Sequence, residues 1–248
     1  MRKILLPLAA CALLLLPSCR FVGISDEVKQ RYREYGESIF NDDDDDTEES
    51  IVASSTITTR DEVTGEFHKL RCNLPCDVTY TPGDCALSFR GPDNVLDHII
   101  VKNENGTLSI QSDGVSFRKL AHLKVKLSSP VIESLTFNGA VDFSAPEGIT
   151  ALDFSATING AGDVEISSLK SGKARIEVNG AGDADIRDID CDELVVSING
   201  AGDGKLAGSA RHASLSISGA GNIDATRLKT RSIDSKVRGI GKISKPKD

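Results

Sequence analysis

Tryptophan is missing from the 248-residue chain, methionine occurs once, and all aromatics together make up 4%. Surfaces that grip sugars usually present flat aromatic rings. An aromatic carbohydrate platform is therefore disfavoured: Tyr80 is the sole tyrosine beyond the first fifty residues, and Phe137, Phe143 and Phe154 read as core. Basic charge is in deficit, with 29 Lys and Arg against 37 Asp and Glu, and no basic stripe marks a nucleic-acid partner. His68, His98, His122 and His212 share no metal-ligand spacing and no nucleophile, and each reads as a solvated strand residue. No serine sits in a strand-to-helix elbow of the hydrolase kind. In the second half of the chain nothing has helical spacing.

One long apolar run exists, Ile4 to Leu16, behind Arg2 and Lys3 and ahead of Ser18 and Cys19. A basic start, a short apolar stretch and a small residue at the cut mark a secretory signal over residues 1–18, too short for a comfortable membrane span. Leu16-Pro17-Ser18-Cys19 resembles the lipobox of bacterial lipoproteins, with Pro17 a departure from the usual residue there. The resemblance makes Cys19 the lipidated N-terminus of an exported protein, held by acyl chains that each bury methylenes worth ~0.8 kcal/mol. The expected location is the cell envelope, at the outer membrane, with its face left open.

Residues 19–50 read as an acidic tether. Val28, Tyr32, Tyr35 and Ile39 fall on one side of a short helical pattern. The run Asp42 to Asp46, followed by Glu48 and Glu49, repels itself and belongs to no core. It lacks the alternation and glycine of a calcium loop. The tether holds 11 acids and 4 bases, leaving 26 acids and 23 bases for residues 51–248, a net of only −3.

Beyond Cys19 the mature chain carries Cys72, Cys76, Cys85 and Cys191. Export makes disulfides permissible, and four cysteines allow three pairings. The expectation is one pair within Cys72, Cys76 and Cys85, with Cys191 buried or free. Cys72-Asn-Leu-Pro-Cys76 lacks the partners that a zinc site needs.

The dominant pattern is a repeat. NGAGD begins at Asn159, Asn179 and Asn199; NGAVD at Asn138 precedes it, and SGAGN at Ser218 and RGIGK at Arg238 follow, with starts 21, 20, 20, 19 and 20 residues apart. Such a period signals a solenoid whose units cannot bury their apolar faces alone. After each corner two apolar positions flank a polar one: Phe143, Val164, Ala184, Gly204, Ile223 and Ile243, then Ala145, Ile166, Ile186, Leu206 and Ala225. Before the corner a second strand aligns three columns, which start at Phe154, Ala156 and Ile158 and end at Ile233, Ser235 and Val237. A single anchor, Leu169, Ile189 or Leu228, lies between the two strands. The pattern predicts an all-β parallel β-helix with coils of about 20 residues and about 4.8 Å between coils.

The corners define the candidate site residues. Gly160, Gly162, Gly180, Gly182, Gly200, Gly202, Gly219 and Gly221 are expected to bend the backbone at positive φ. Asn138, Asn159, Asn179 and Asn199 are expected to stack as an amide ladder. Asp142, Asp163, Asp183 and Asp203 form a column of like charges, each step repelling by roughly 1 kcal/mol in water-like dielectric. The favoured explanation is that each Asp caps its own turn; the alternative is a bound cation. Residues 51–137 lack the corner but keep strand texture, with two strands around Pro82-Gly83 and another pair around Asn105-Gly106. They read as opening coils or a cap, and residues 138–245 as the repeats of one domain spanning 51–248.

GPDNVLDHIIVKNENGTLSI together with the NGAGD corners, over roughly Ile51 to Lys245, resembles the auto-transporter adhesin family with a head GIN domain. Asn stands where the family often has Ser, and the last corner has lost its Asp. The resemblance implies a right-handed parallel β-helix and an adhesion role. Catalysis is not expected: a polysaccharide lyase needs a base beside its acids, and Lys173, Arg175, Arg187 and Lys242 are scattered. The reading is a non-catalytic, lipid-anchored adhesion or protein-interaction module with a protein or cell-surface partner, without cofactor, small-molecule substrate or nucleic acid. The alternatives are a lyase or hydrolase of the β-helix kind and a calcium-stabilised structural solenoid.

Overall fold

The computed structural model describes residues 50–120 and 123–246. The signal segment, Cys19, the acidic tether and His122 lie outside the described residues.

Apolar side chains at alternate positions make strands almost everywhere. The strands are β1 (Ser50–Val52), β2 (Ile57–Glu62), β3 (Lys69–Cys72), β4 (Cys76–Pro82), β5 (Ala86–Pro92), β6 (Ile99–Glu104), β7 (Thr107–Ser112), β8 (Ser116–Arg118), β9 (Lys124–Ser129), β10 (Ser134–Ala145), β11 (Ile149–Ala161), β12 (Val164–Ile166), β13 (Leu169–Ala181), β14 (Ala184–Ala201) and β15 (Gly204–Ser244). One four-residue helix, α1 (Asp93–Leu96), follows Pro92.

From β10 onward every pairing is parallel and in register, and the predicted columns are the observed ones. Ala174 lies over Phe154, Leu194 over Ala174 and Ala213 over Leu194, while Ala156, Ile176, Val196 and Leu215 line up beside them. Three of these four coils combine one larger and one smaller residue, Phe154 with Ala156, Ala174 with Ile176 and Ala213 with Leu215, while the coil of Leu194 and Val196 places branched aliphatic residues in both columns. Alternation of large and small residues between levels lets neighbouring coils fill the interior without overpacking it. The column Ile158, Val178, Ile198, Ile217 is no more than 1% exposed at any level.

The single anchor of the sequence is a third short side of each coil. Ile149 pairs with Leu169, Leu169 with Ile189, and Ile189 with Gly208. Two places further on, Cys191 takes the position held by Ser171 below and Ala210 above. It is buried there as a small column member.

Length differences between repeats are confined to one corner. Between Ala145 and Ile149 the first coil has three residues where the next has two between Ile166 and Leu169, which accounts for the 21-residue step. Arg187 and Asp188 face the single Ala207 between Leu206 and Gly208, with Asp188 at φ 45°, and this is the 19-residue step. The NGAGD corner itself never changes length.

The opening region departs from sequence order. β3 pairs with β10 on one side and β7 on the other, and β4 lies between β10 and β9, all parallel. The coil written first therefore stands second in the stack. Antiparallel strands close this end, with β5 on β9, β2 on β5 and β6 on β7. The two strands around Pro82-Gly83 exist but are not each other's partners, because β9 separates them. The pair around Asn105-Gly106 is a true hairpin, with φ of 51° and 73° at those two residues. Tyr80 is buried in this region and donates its hydroxyl to the Ser129 carbonyl at 3.0 Å; burial raises its pKa above the ordinary value.

Candidate functional site: the corner columns

The Asn ladder is continuous and longer than the repeat. Each Asn Nδ2 donates to the Oδ1 one coil below: Asn199 to Asn179 at 2.9 Å, Asn179 to Asn159 at 3.0 Å, Asn159 to Asn138 at 2.9 Å, and Asn138 to Asn73 at 2.7 Å. Sequence reading missed Asn73, because its corner is Cys72-Asn-Leu-Pro-Cys76 and carries no glycine. The register puts Cys72 against Phe137 and Cys76 against Val141, so this pentapeptide is the same corner built from other residues. The shared Asn was the available signal.

The Asp column works differently from the expectation that each residue caps its own turn. The backbone N–H of Asp163 donates to Asp142 Oδ1 at 3.1 Å, that of Asp183 to Asp163 at 2.8 Å, that of Asp203 to Asp183 at 2.7 Å, and that of Asn222 to Asp203 at 2.7 Å. Each carboxylate caps the coil that follows. At this corner the N–H points along the stack to a level where no carbonyl waits, and the side chain supplies the acceptor. A charge-assisted bond of this kind, worth about 1.5–3 kcal/mol, offsets the repulsion between neighbouring carboxylates. Register extends the column to Asp77 and then Lys124, so the acids begin beside a cation.

Glycine at the corners answers to sterics more than to φ. Gly180 has φ 144°, and a Cβ there would sit 1.8 Å from the Gly160 carbonyl oxygen. Gly182 is not among the positive-φ glycines, yet its Cβ would sit 2.0 Å from the Gly162 oxygen. Seven of the eight predicted corner glycines have the expected positive φ and Gly182 does not; what all eight share is contact between backbones of adjacent coils.

Other chemistry-bearing groups are dispersed. Lys173 pairs with Glu193 at 2.9 Å, Arg187 bridges Glu165 at 2.7 Å and Asp185 at 2.9 Å, and Arg175 pairs with Glu177. These exposed pairs contribute little stability. His98 lies 2.9 Å from Asp113, His68 3.7 Å from Glu133, and His212 Nδ1 2.7 Å from Ser232 Oγ. Among the described histidines only His212 is an exposed strand residue; His68 and His98 are half-buried outside strands. Among the described residues no three His, Cys, Asp or Glu side chains converge as a metal site. A shallow notch of about 310 Å³, lined by Cys76, Asp77, Leu123, Ala140 and Asp142, opens at the foot of the Asp column.

The four described cysteines, Cys72, Cys76, Cys85 and Cys191, are free thiols, so the disulfide expected within the first three is not formed. Cys72 and Cys76 Sγ atoms are 3.5 Å apart and buried, while Cys85 is half-buried elsewhere. The bond from Cys76 holds the Cys72 thiol below its ordinary pKa; that same bond, and then burial, push Cys76 well above its own. Burial, helped by Asp190 and Asp192, pushes Cys191 up to about 11, the behaviour of an inert core thiol.

Parallel coils with glycine corners, tied by amide and carboxylate ladders that run along the stack, define a β-solenoid. Residues 66–245 match the family model described as "Putative auto-transporter adhesin, head GIN domain", and the chain belongs to that family. It is similar in structure to a "putative adhesin" from Bacteroides fragilis NCTC 9343, with TM-score 0.64, 22% identity, and 79% of this chain and 99% of that one covered. A "putative adhesin" from Parabacteroides distasonis ATCC 8503 superposes with TM-score 0.73 at 18% identity, covering 79% and 84%. A "Putative lipid binding protein" from the same strain gives 0.64 at 18%, covering 80% and 100%. No curated protein matches. At these identities the likeness to solved structures shows the fold.

Proposed function

We propose that the protein is a non-catalytic, lipid-anchored interaction module of the cell envelope, exported by residues 1–18, acylated at Cys19 and presented on the acidic tether of residues 19–50. The observation that carries this reading is the use of the corner side chains. Every Asn from 138 to 199, and Asp142, Asp163, Asp183 and Asp203, is engaged in holding one coil to the next. Groups committed to the stack are poorly placed to act as acids, bases or ligands. Family membership supports adhesion, and the apolar run ending in Leu-Pro-Ser-Cys supports the anchor.

Two measurements test the reading. Labelling with an alkyne-bearing fatty acid marks the native chain, and Cys19→Ser abolishes the label and moves the protein to the soluble fraction; an unlabelled, membrane-free native chain refutes the anchor. Cross-linking in whole cells followed by capture of the full chain recovers a protein or surface partner. Release of unsaturated or reducing sugar from uronate polymers, lost on changing Asp163 and Asp183, refutes the non-catalytic reading.

A further inference from the structure

The two ends of the stack are unlike. Antiparallel β2, β5 and β6 close the end at which β1 enters, through its pairing with β8 beside them. At the other end residues 227–244 lie on residues 208–225: a Cβ on Gly239 or Gly241 would meet the carbonyl oxygen of Gly219 or Gly221 at 2.0 and 1.8 Å. Apart from this stacking within β15, its only partner strand is β14, so among the described residues nothing pairs with the far edge of the last coil. The inward columns are open there. Val237 is 40% exposed, whereas Ile217 beneath it is 1% exposed, and Ile233 and Ile243 are half-buried. Ile240 replaces the Ala of the five preceding NGAGD-type corners and is 82% exposed.

Charge gathers at the same end. Residues 227–246 carry seven Lys and Arg against the single Asp234, a net of +6, while residues 51–226 carry 15 basic and 24 acidic residues, a net of −9. All seven are exposed, and with described residues none forms an ion pair.

We propose that this edge docks an acidic, extended polypeptide strand, which adds to the stack by backbone pairing. The proposal rests on the reading of the protein as an interaction module and names the chemistry of its partner. Strand addition takes affinity from unpaired backbone groups and specificity from alternate side chains. Here Ile233 and Val237 offer apolar seats, and Lys236 and Arg238 alternate with them on the outward face, where cross-strand carboxylates pair. A partner alternating apolar and acidic residues meets both. A second copy does not, because two ends of +6 repel, and Lys and Arg on an edge act against self-pairing. A polysaccharide polyanion or an anionic membrane would meet the charge and leave the backbone edge and apolar seats unused.

The test is binding of a fluorescent peptide of about eight residues alternating Val and Glu to the full chain, followed by anisotropy and by amide exchange at residues 233–243. Binding is expected, together with slowed exchange at those amides. The variant K236E/R238E/K242E, checked for an unchanged circular dichroism spectrum, is expected to bind about tenfold weaker or worse. Proline in the middle of the peptide removes a backbone donor and is expected to weaken binding to the unaltered protein by a similar factor. Polyglutamate, polygalacturonate or phosphatidylglycerol vesicles binding as tightly as the Val-Glu peptide would overturn the strand proposal in favour of charge alone. Absence of binding and of protection would overturn it too and leave the cations as guards of the edge. Because the peptide needs no native partner, this result stands or falls separately from cellular capture.

Discussion

Cys72-Asn-Leu-Pro-Cys76 and Phe137-Asn-Gly-Ala-Val141 occupy the same corner of adjacent coils, and one has no glycine. A Cβ on Gly139, which looks down on the first of these, meets nothing within 4 Å; a Cβ on Gly160, which looks down on Gly139, meets its carbonyl oxygen at 2.2 Å. Glycine is thus demanded by a like corner underneath, and the first corner escapes because its neighbour is of another kind. The opening region holds its shape with bulky buried groups and antiparallel edges, the repeats with contacts between identical levels.

Substitution at matched glycines breaks this comparison most sharply. Gly180→Ala is expected to cost more than about 4 kcal/mol, since backbone must move on two levels, whereas Gly139→Ala, at φ 125° over open space, costs about 1–3 kcal/mol of strain alone. Urea unfolding measures both, and equal losses would return the explanation to φ. Next come the interiors: Phe89→Ala in the opening region is expected to lose about 3–5 kcal/mol and Ile176→Ala in the repeats about 2–5 kcal/mol, each read as a fall in unfolding midpoint.

The ladder gives a smaller contrast. Asn179→Ala removes two amide bonds in mid-ladder and Asn73→Ala one at its end, at about 1 kcal/mol net per bond; thermal melting should rank them in that order. The smallest effect is acid loosening at the entry. The Ser54 hydroxyl and then the Asn94 N–H hold the Asp93 carboxyl below its ordinary value. A lowered folded pKa contributes stability above the unfolded carboxylate value of about 3.9 and loses it as pH falls through the folded value. The Asn94 amide resonance should therefore hold steady down to about pH 4 and shift below it, and Asp93→Asn should abolish that shift.

The repeated half was legible because a solenoid writes its three-dimensional neighbours at a fixed spacing: Val178 is found from Ile158 by counting. The third side of the coil was reduced to one anchor, since three-residue strands such as Leu169 to Ser171 leave little alternation to detect. Partners of the Asp carboxylates were hidden because the acceptor lies on the neighbouring level, which a turn motif does not encode. Least legible was the order of the opening coils. Nothing in the text of β3 or β9 states that a later segment slides beneath an earlier one. The gathering of cations at the last coil also escaped a count of net charge, because the acids of residues 142–203 balance it.

The inverted order of those opening coils bears on how the molecule is made. Both lower neighbours of the first-written coil, β7 and β9, lie before residue 130, so a chain emerging amino end first holds everything needed to finish its lid before any NGAGD motif appears. From then on each level is laid on a completed template, and assembly runs in one direction without threading. Truncations after successive corners should accordingly yield shorter versions of one object, while loss of the first eighty residues of the folded part removes the template itself.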